Sequence, residues 1–168
     1  MWTDDVFAVL KSFDVRQVTY VPDAGHARLI ERAGQDDAIR TVPLTTEEEG
    51  IALLAGAWLG GQRGVLLLQS SGVGNCINML SLIRTCGFPL LALVTMRGEF
   101  GEFNAWQVPM GSASEAAMRL MGVQVMRADQ PADAPEVVQA AARMAYLGGA
   151  AMAVLFGQRL VGAKVFVE

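Results

Sequence analysis

Histidine occurs once in this chain of 168 residues and cysteine twice. Cys76 and Cys86 have no partners at metal-ligand spacing, so no zinc site is expected and no metal-binding residue is nominated. No secretory leader is expected either, since the start, Met1-Trp2-Thr3-Asp4-Asp5, is acidic and polar. Both thiols are therefore expected to stay reduced in a cytoplasm and to pack as small apolar residues. Charge is scarce, at 18% of residues with a net charge of −4. No Lys/Arg cluster or basic stripe with interleaved aromatics occurs, so nucleic acid is not an expected partner. The longest uncharged run, Gly64 to Ile83, is broken by Gln69, Ser70, Ser71, Asn75 and Asn78. A membrane-spanning helix needs about 20 mostly apolar residues, so no membrane span is expected. No Ser-His-acid order or Cys-His pair points to nucleophilic catalysis.

What the chain has in abundance is apolar surface, with 52% hydrophobic residues. With little charge to cover it, the protein is expected to bury a large interface, by self-association or as one subunit of a complex. The length fits one domain, residues 1–168, with a full core. Val6, Phe7, Val9, Leu10 and Phe13 stand at helical spacing, which predicts an amphipathic helix over 3–13 capped by Thr3. Further helices are expected over 27–33, over 51–60 behind the acidic stretch that opens it, and over about 76–85, 112–121 and 133–146, the last with Pro135 in its first turn. Strands are expected over 17–21, 39–43, 64–69, 90–95, 123–127 and 151–156. The tail, Gly157 to Glu168, is partly apolar and expected to pack against the body. The strands are solid apolar runs alternating with helices. That pattern predicts a doubly wound α/β fold: a mostly parallel six-stranded sheet with helices on both faces.

In such sheets ligands bind at the carboxyl ends of the strands. Here those ends are Pro22 to His26, Thr45 to Glu49, Ser70 to Asn75 and Thr95 to Gly98. Thr45-Thr46-Glu47-Glu48-Glu49-Gly50 opens a helix of small residues. Acids in a first helical turn favour the positive end of the helix dipole, and Thr45 or Thr46 is a natural N-cap, which accounts for most of the acidic run. Ser71-Gly72-Val73-Gly74-Asn75 reads either as a tight turn or as a loop whose missing side chains admit a flat or anionic ligand. His26 lies beside a turn at a strand end, as a packing residue or as a base or substrate clamp. Arg97 opens a long loop and is a candidate clamp for an anionic substrate. Trp58 reads as core or interface, and the methionines Met96, Met110, Met118, Met121 and Met126 read as core filler.

Two blocks carry a family resemblance. Thr46-Glu47-Glu48-Glu49-Gly50-Ile51-Ala52-Leu53-Leu54-Ala55-Gly56 resembles the cofactor-activating region of thiamine diphosphate enzymes, and Leu68 to Asn78 resembles the next block of the same pyrimidine-binding (Pyr) domain. Val21-Pro22-Asp23, Gly87 to Leu91, Met96 to Glu99 and Pro109-Met110-Gly111 continue the likeness, which is closest to sulfopyruvate decarboxylase alpha subunits and phosphonopyruvate decarboxylases. The resemblance implies thiamine diphosphate as cofactor and a 2-oxo acid as substrate. It also implies a Glu whose carboxyl bonds to the cofactor's ring nitrogen. The alignment of Gly50 to Gly56 chooses Glu47 for that role and an offset of one chooses Glu48. They point about 100° apart on a helix, so one acid does the work. Ser71, Gly72, Gly74 and Asn75 become cofactor-binding residues, and His26 and Arg97 substrate-binding ones. The Gly-Asp-Gly that holds the diphosphate through Mg²⁺ in these enzymes is missing. The resemblance therefore implies a split alpha subunit, whose cofactor lies against a separate diphosphate-binding beta subunit. Ala24-Gly25-His26 departs from the phosphonopyruvate enzymes and leaves the 2-oxo acid open. The alternatives are a non-catalytic assembly or regulatory module that keeps the Pyr fold, or a flavodoxin-like domain binding a nucleotide at Ser70 to Asn75.

Overall fold

A computed structural model describes residues 1–162. Residues 163–168, which carry the end of the apolar tail, lie outside the described residues. Among the described residues, six strands form one sheet: β1 (Val15–Tyr20), β2 (Arg40–Pro43), β3 (Arg63–Gln69), β4 (Leu90–Thr95), β5 (Gln124–Ala128) and β6 (Ala151–Phe156). Their spatial order is β2-β1-β3-β4-β6-β5, and every neighbouring pair is parallel. The helices are α1 (Trp2–Ser12), α2 (Ala27–Gly34), α3 (Glu47–Leu59), α4 (Ser70–Cys76), α5 (Ser81–Cys86), α6 (Val108–Leu120), α7 (Ala134–Tyr146) and α8 (Gln158–Val161).

Because side chains alternate across a strand, an apolar run serves two cores at once. Val65 and Leu67 of β3, Leu91 and Leu93 of β4, and Met152, Val154 and Phe156 of β6 pack with α1, α2 and α7. Leu66, Leu68, Leu90, Ala92, Val94, Ala153 and Leu155 face the other way, with residues of α3 to α6. The sheet is thus covered on both faces. After β1 the chain steps outward to β2 and then crosses back to β3, so the order reverses between β1 and β3. Crevices form at the carboxyl edge of such a reversal.

Four local expectations are corrected. Thr3 does not cap α1: Met1 does, and Thr3 lies inside the helix, buried, with no hydrogen-bond partner for its hydroxyl. The Gly-rich segment after β3 is no loop. Helix begins at once at Ser70: Gly72 gives the backbone a close approach to Glu47 that a larger residue would block, and Gly74 packs against the flexible Met110 thioether. Helix α6 starts at Val108, with Pro109 in the first turn where its missing N–H costs nothing, rather than near 112. Cys76 is buried as expected, whereas Cys86 is exposed; both are free thiols.

Candidate functional site

The three acids that open α3 have three different environments. Glu47 is the first helical residue and only 8% exposed. Glu48 is half-buried and accepts a hydrogen bond from Thr46 Oγ1 at 2.6 Å. Glu49 is exposed and accepts from the Thr45 N–H at 2.9 Å, closing the helix start. Thr46 sits at the N-cap but spends its hydroxyl on Glu48 rather than on the backbone. The bland role of an acidic first turn thus falls to Glu48 and Glu49.

Glu47 instead turns toward α4. Asn75 Nδ2 donates to its Oε2 at 2.8 Å. Gly72 lies so close that a Cβ there would meet Glu47 Cδ and Oε1 at 2.3 Å. The carboxylate therefore occupies space that only glycine leaves open. Above it is a cleft of about 770 Å³, lined on one side by Glu47, Ser71, Gly72, Gly74 and Asn75. Ala105, Trp106, Pro109 and Met110 line the other side. At the end of α4, the Cys76 thiol is pushed up to about 12, first by burial and then by the charges of Glu47 and Glu48, so it stays protonated.

Three candidates are not brought to this cleft. Glu48 does not line it. His26 is 1% exposed; its Nε2 bonds the Leu93 carbonyl at 3.0 Å and its ring lies edge-on to Phe156. Burial holds its pKa below the ordinary value, favouring the neutral ring. Arg97 is buried, and its guanidinium grips Glu102 in a bidentate pair, Nε to Oε2 at 2.5 Å and Nη2 to Oε1 at 2.8 Å. That pairing holds the Glu102 carboxyl down at about 2, so the loop carries a neutralised ion pair. Arg97 borders a separate cavity of about 120 Å³, with Asp23, Gly25 and Thr95.

Sequence reasoning missed the far wall and what aims it. Trp106 is 83% exposed beside the cleft, and Met110 lines the cleft while also packing against the core. The loop before them is tied down by Gln158, 1% exposed, whose Oε1 accepts from the N–H groups of Glu99 and Phe100 at 2.9 Å each. Its Nε2 donates to Glu102 Oε2 at 3.0 Å. An exposed Trp in a loop after a strand's carboxyl end was the available signal; nothing marked Gln158.

A carboxylate with one oxygen tied down, an amide, a hydroxyl and flat apolar walls form a slot for a planar ring with a polar edge. Comparisons with known proteins agree with that chemistry. Residues 2–102 match the family model described as thiamine pyrophosphate enzyme, N-terminal TPP binding domain. The sulfopyruvate decarboxylase subunit alpha of Methanothermobacter thermautotrophicus is 35% identical over 137 residues, 81% of this chain and 83% of that one. The phosphonopyruvate decarboxylase of Streptomyces viridochromogenes is 40% identical over 99 residues, 58% of this chain but 25% of that longer protein. Among solved structures, a 2-oxoglutarate:ferredoxin oxidoreductase from Magnetococcus marinus superposes with a TM-score of 0.78 at 15% identity. The match covers 95% of this chain and 29% of that one, and shows the shared fold.

Proposed function

This chain belongs to the thiamine pyrophosphate enzyme family, as its N-terminal TPP-binding domain, and from that premise we propose that it is the alpha subunit of a thiamine diphosphate-dependent 2-oxo acid decarboxylase. It acts as one Pyr-type domain over residues 1–168, in the cytoplasm, on an anionic substrate such as sulfopyruvate or phosphonopyruvate. The free thiols Cys76 and Cys86 agree with a reducing compartment. No helix among the described residues is long and apolar enough to cross a membrane. Relatives carry the name subunit alpha, which supports a separate beta subunit. That subunit is assigned the diphosphate and its Mg²⁺.

The observation that carries the reading is the Glu47 carboxylate, set at the floor of the cleft under Gly72 with Oε2 held by Asn75. When bound, thiamine diphosphate supplies the carbon nucleophile and the electron sink for loss of CO₂ from a 2-oxo acid. This chain holds the ring edge. With Oε2 accepting from Asn75, Oε1 is the oxygen left to carry and share a proton. Near-complete burial makes that proton exchange possible away from competing water. Ser71, Gly72 and Gly74 shape the near wall, and Trp106, Pro109 and Met110 give the ring an apolar face.

The test is Glu47→Gln beside Glu48→Gln, each co-expressed with the diphosphate-binding partner chain. Glu47→Gln is expected to assemble and release no CO₂ from sulfopyruvate or phosphonopyruvate, while Glu48→Gln keeps its activity. Full activity in Glu47→Gln would overturn the assignment.

A further inference from the structure

Three neighbouring strand ends meet beside the cleft. Asp23 follows β1, Gln69 ends β3 and Thr95 ends β4, and Gln69 and Thr95 are register partners in the parallel pair. Asp23 is held from both sides. Its Oδ2 accepts from Thr95 Oγ1 at 2.6 Å and from the Gly25 N–H at 3.1 Å, and its Oδ1 accepts from Gln69 Nε2 at 2.8 Å.

An ionised carboxylate only accepts hydrogen bonds, so Asp23 dictates which way round the Gln69 amide lies. The NH₂ faces Asp23 and the oxygen faces away. That oxygen, also acceptor-only, meets Ser71 Oγ at 2.9 Å, and the hydroxyl hydrogen of Ser71 is spent on it. Ser71 lines the cleft beside Glu47. With its hydrogen committed, the hydroxyl has only lone pairs left to offer a ligand.

We propose that Asp23 and Gln69 are positioning residues that make Ser71 an obligate acceptor, so that the cleft selects a ligand presenting N–H or O–H at that point over one presenting C=O. The inference rests on the cofactor reading above and deepens it. The donor has two possible sources: the exocyclic amine of the cofactor's aminopyrimidine, or a hydroxyl at the position of the substrate's 2-oxo group.

Asp23→Asn tests this at constant shape. The Gly25 N–H can only donate, so the new amide must place its oxygen where Oδ2 was and its NH₂ where Oδ1 was. Two NH₂ groups would then face each other, and the Gln69 amide turns over. Its NH₂ now donates to Ser71 Oγ, and the Ser71 hydrogen is released toward the cleft. The relay is reversed without losing a hydrogen bond. Ser71→Ala removes its last member.

The alpha–beta complex, wild type and each variant, is titrated by calorimetry with thiamine diphosphate and with its 4′-oxo analogue, both with Mg²⁺ and without substrate. A second arm measures inhibition by 3-sulfolactate, the 2-hydroxy counterpart of sulfopyruvate. If the amine is the donor, wild type prefers the amino form, and the preference falls about tenfold in both variants, the worth of one net hydrogen bond. If the substrate hydroxyl is the donor, the cofactor preference holds and the inhibition constant of 3-sulfolactate rises by a similar factor. A merely structural Asp23 would weaken amino and oxo forms alike. Unchanged cofactor preference together with unchanged 3-sulfolactate inhibition overturns the proposal. Should Asp23→Asn not assemble, Ser71→Ala alone decides it by the same readouts. A wild-type complex that binds neither diphosphate overturns the cofactor reading itself.

Discussion

Gly72→Ala separates the needs of the helix from the needs of the site. In helix α4 (Ser70–Cys76) the change favours folding, since alanine is better than glycine in a helix interior by about 1 kcal/mol. The space says otherwise. The added Cβ would lie 2.3 Å from Cδ and Oε1 of Glu47 and 2.5 Å from Cγ, where ordinary contact begins at 3.4 Å. About 1 Å must be yielded, and the flexible Glu47 side chain yields it more cheaply than two packed backbones. The retreat breaks the 2.8 Å bond from Asn75 Nδ2. A 1 Å misplacement of a reacting group costs about 10²-fold in rate.

The expected result is therefore kcat down about 100-fold with unfolding free energy within about 1 kcal/mol of wild type, because the helix gain offsets the local strain. The assay is CO₂ release by the reconstituted complex, paired with urea unfolding of the isolated chain. Gly74→Ala is the control. There a Cβ would meet only the Met110 thioether at 3.3 Å, a tip that can shift by a few tenths of an ångström, so most activity is retained. A Gly72→Ala protein as active and as stable as wild type would refute the argument, since the Glu47 carboxylate could then move without consequence.

Asn75→Ala removes the donor to Glu47 Oε2, a hydrogen bond to a charged group worth roughly 1.5–3 kcal/mol, so kcat is expected to fall by about 10- to 100-fold. His26 has its pKa below the unfolded value of 6.5, so its stabilising share is full above that pH and is lost as pH falls below about 6.5. Urea titrations of wild type and His26→Gln from pH 8 to 5 should show a slope that the variant lacks. Glu102 is held at about 2 against an ordinary 4.5, so its share is full above pH 4.5 and is lost on descent toward pH 2. Glu102→Gln should flatten that limb and lower the thermal midpoint at neutral pH, since it leaves the buried Arg97 guanidinium without its counter-charge.

The sheet was legible because burial on both faces leaves its mark in composition. Leu90–Thr95 and Ala151–Phe156 are unbroken apolar runs, and both were delimited to the residue. The misreadings share another cause: tertiary contact overrode local preference. Gly72 and Gly74 are poor helix formers, and a Gly-rich stretch after a strand reads as a connection. It is helical because the contacts with Glu47 and Met110 reward small residues more than propensity penalises them. Thr3 has the chemistry of a cap but faces the core under α1, where Met1 has already begun the helix. Cys86, the last residue of α5, is exposed.

The neighbourhood of the cleft was legible from topology, since parallel strands carry their carboxyl ends to one edge and the order reverses beside β1 and β3. Choosing among adjacent acids was not. Glu47 and Glu48 differ by one residue and about 100° of helix rotation, and both suit a first turn. What distinguishes them in space is a glycine on another element: Gly72 stands opposite Glu47, and the missing Cβ there makes room for its carboxylate. The same logic limits what could be said of His26 and Arg97. Each is the residue type that substrate clamping needs, at the correct edge of the sheet. Yet His26 finds the Leu93 carbonyl and Arg97 finds Glu102 five residues on, and a polar side chain near a crevice is claimed by whichever partner is reached first. The acid that lines the cleft is the one that packs against Gly72 and accepts from Asn75 Nδ2 through Oε2.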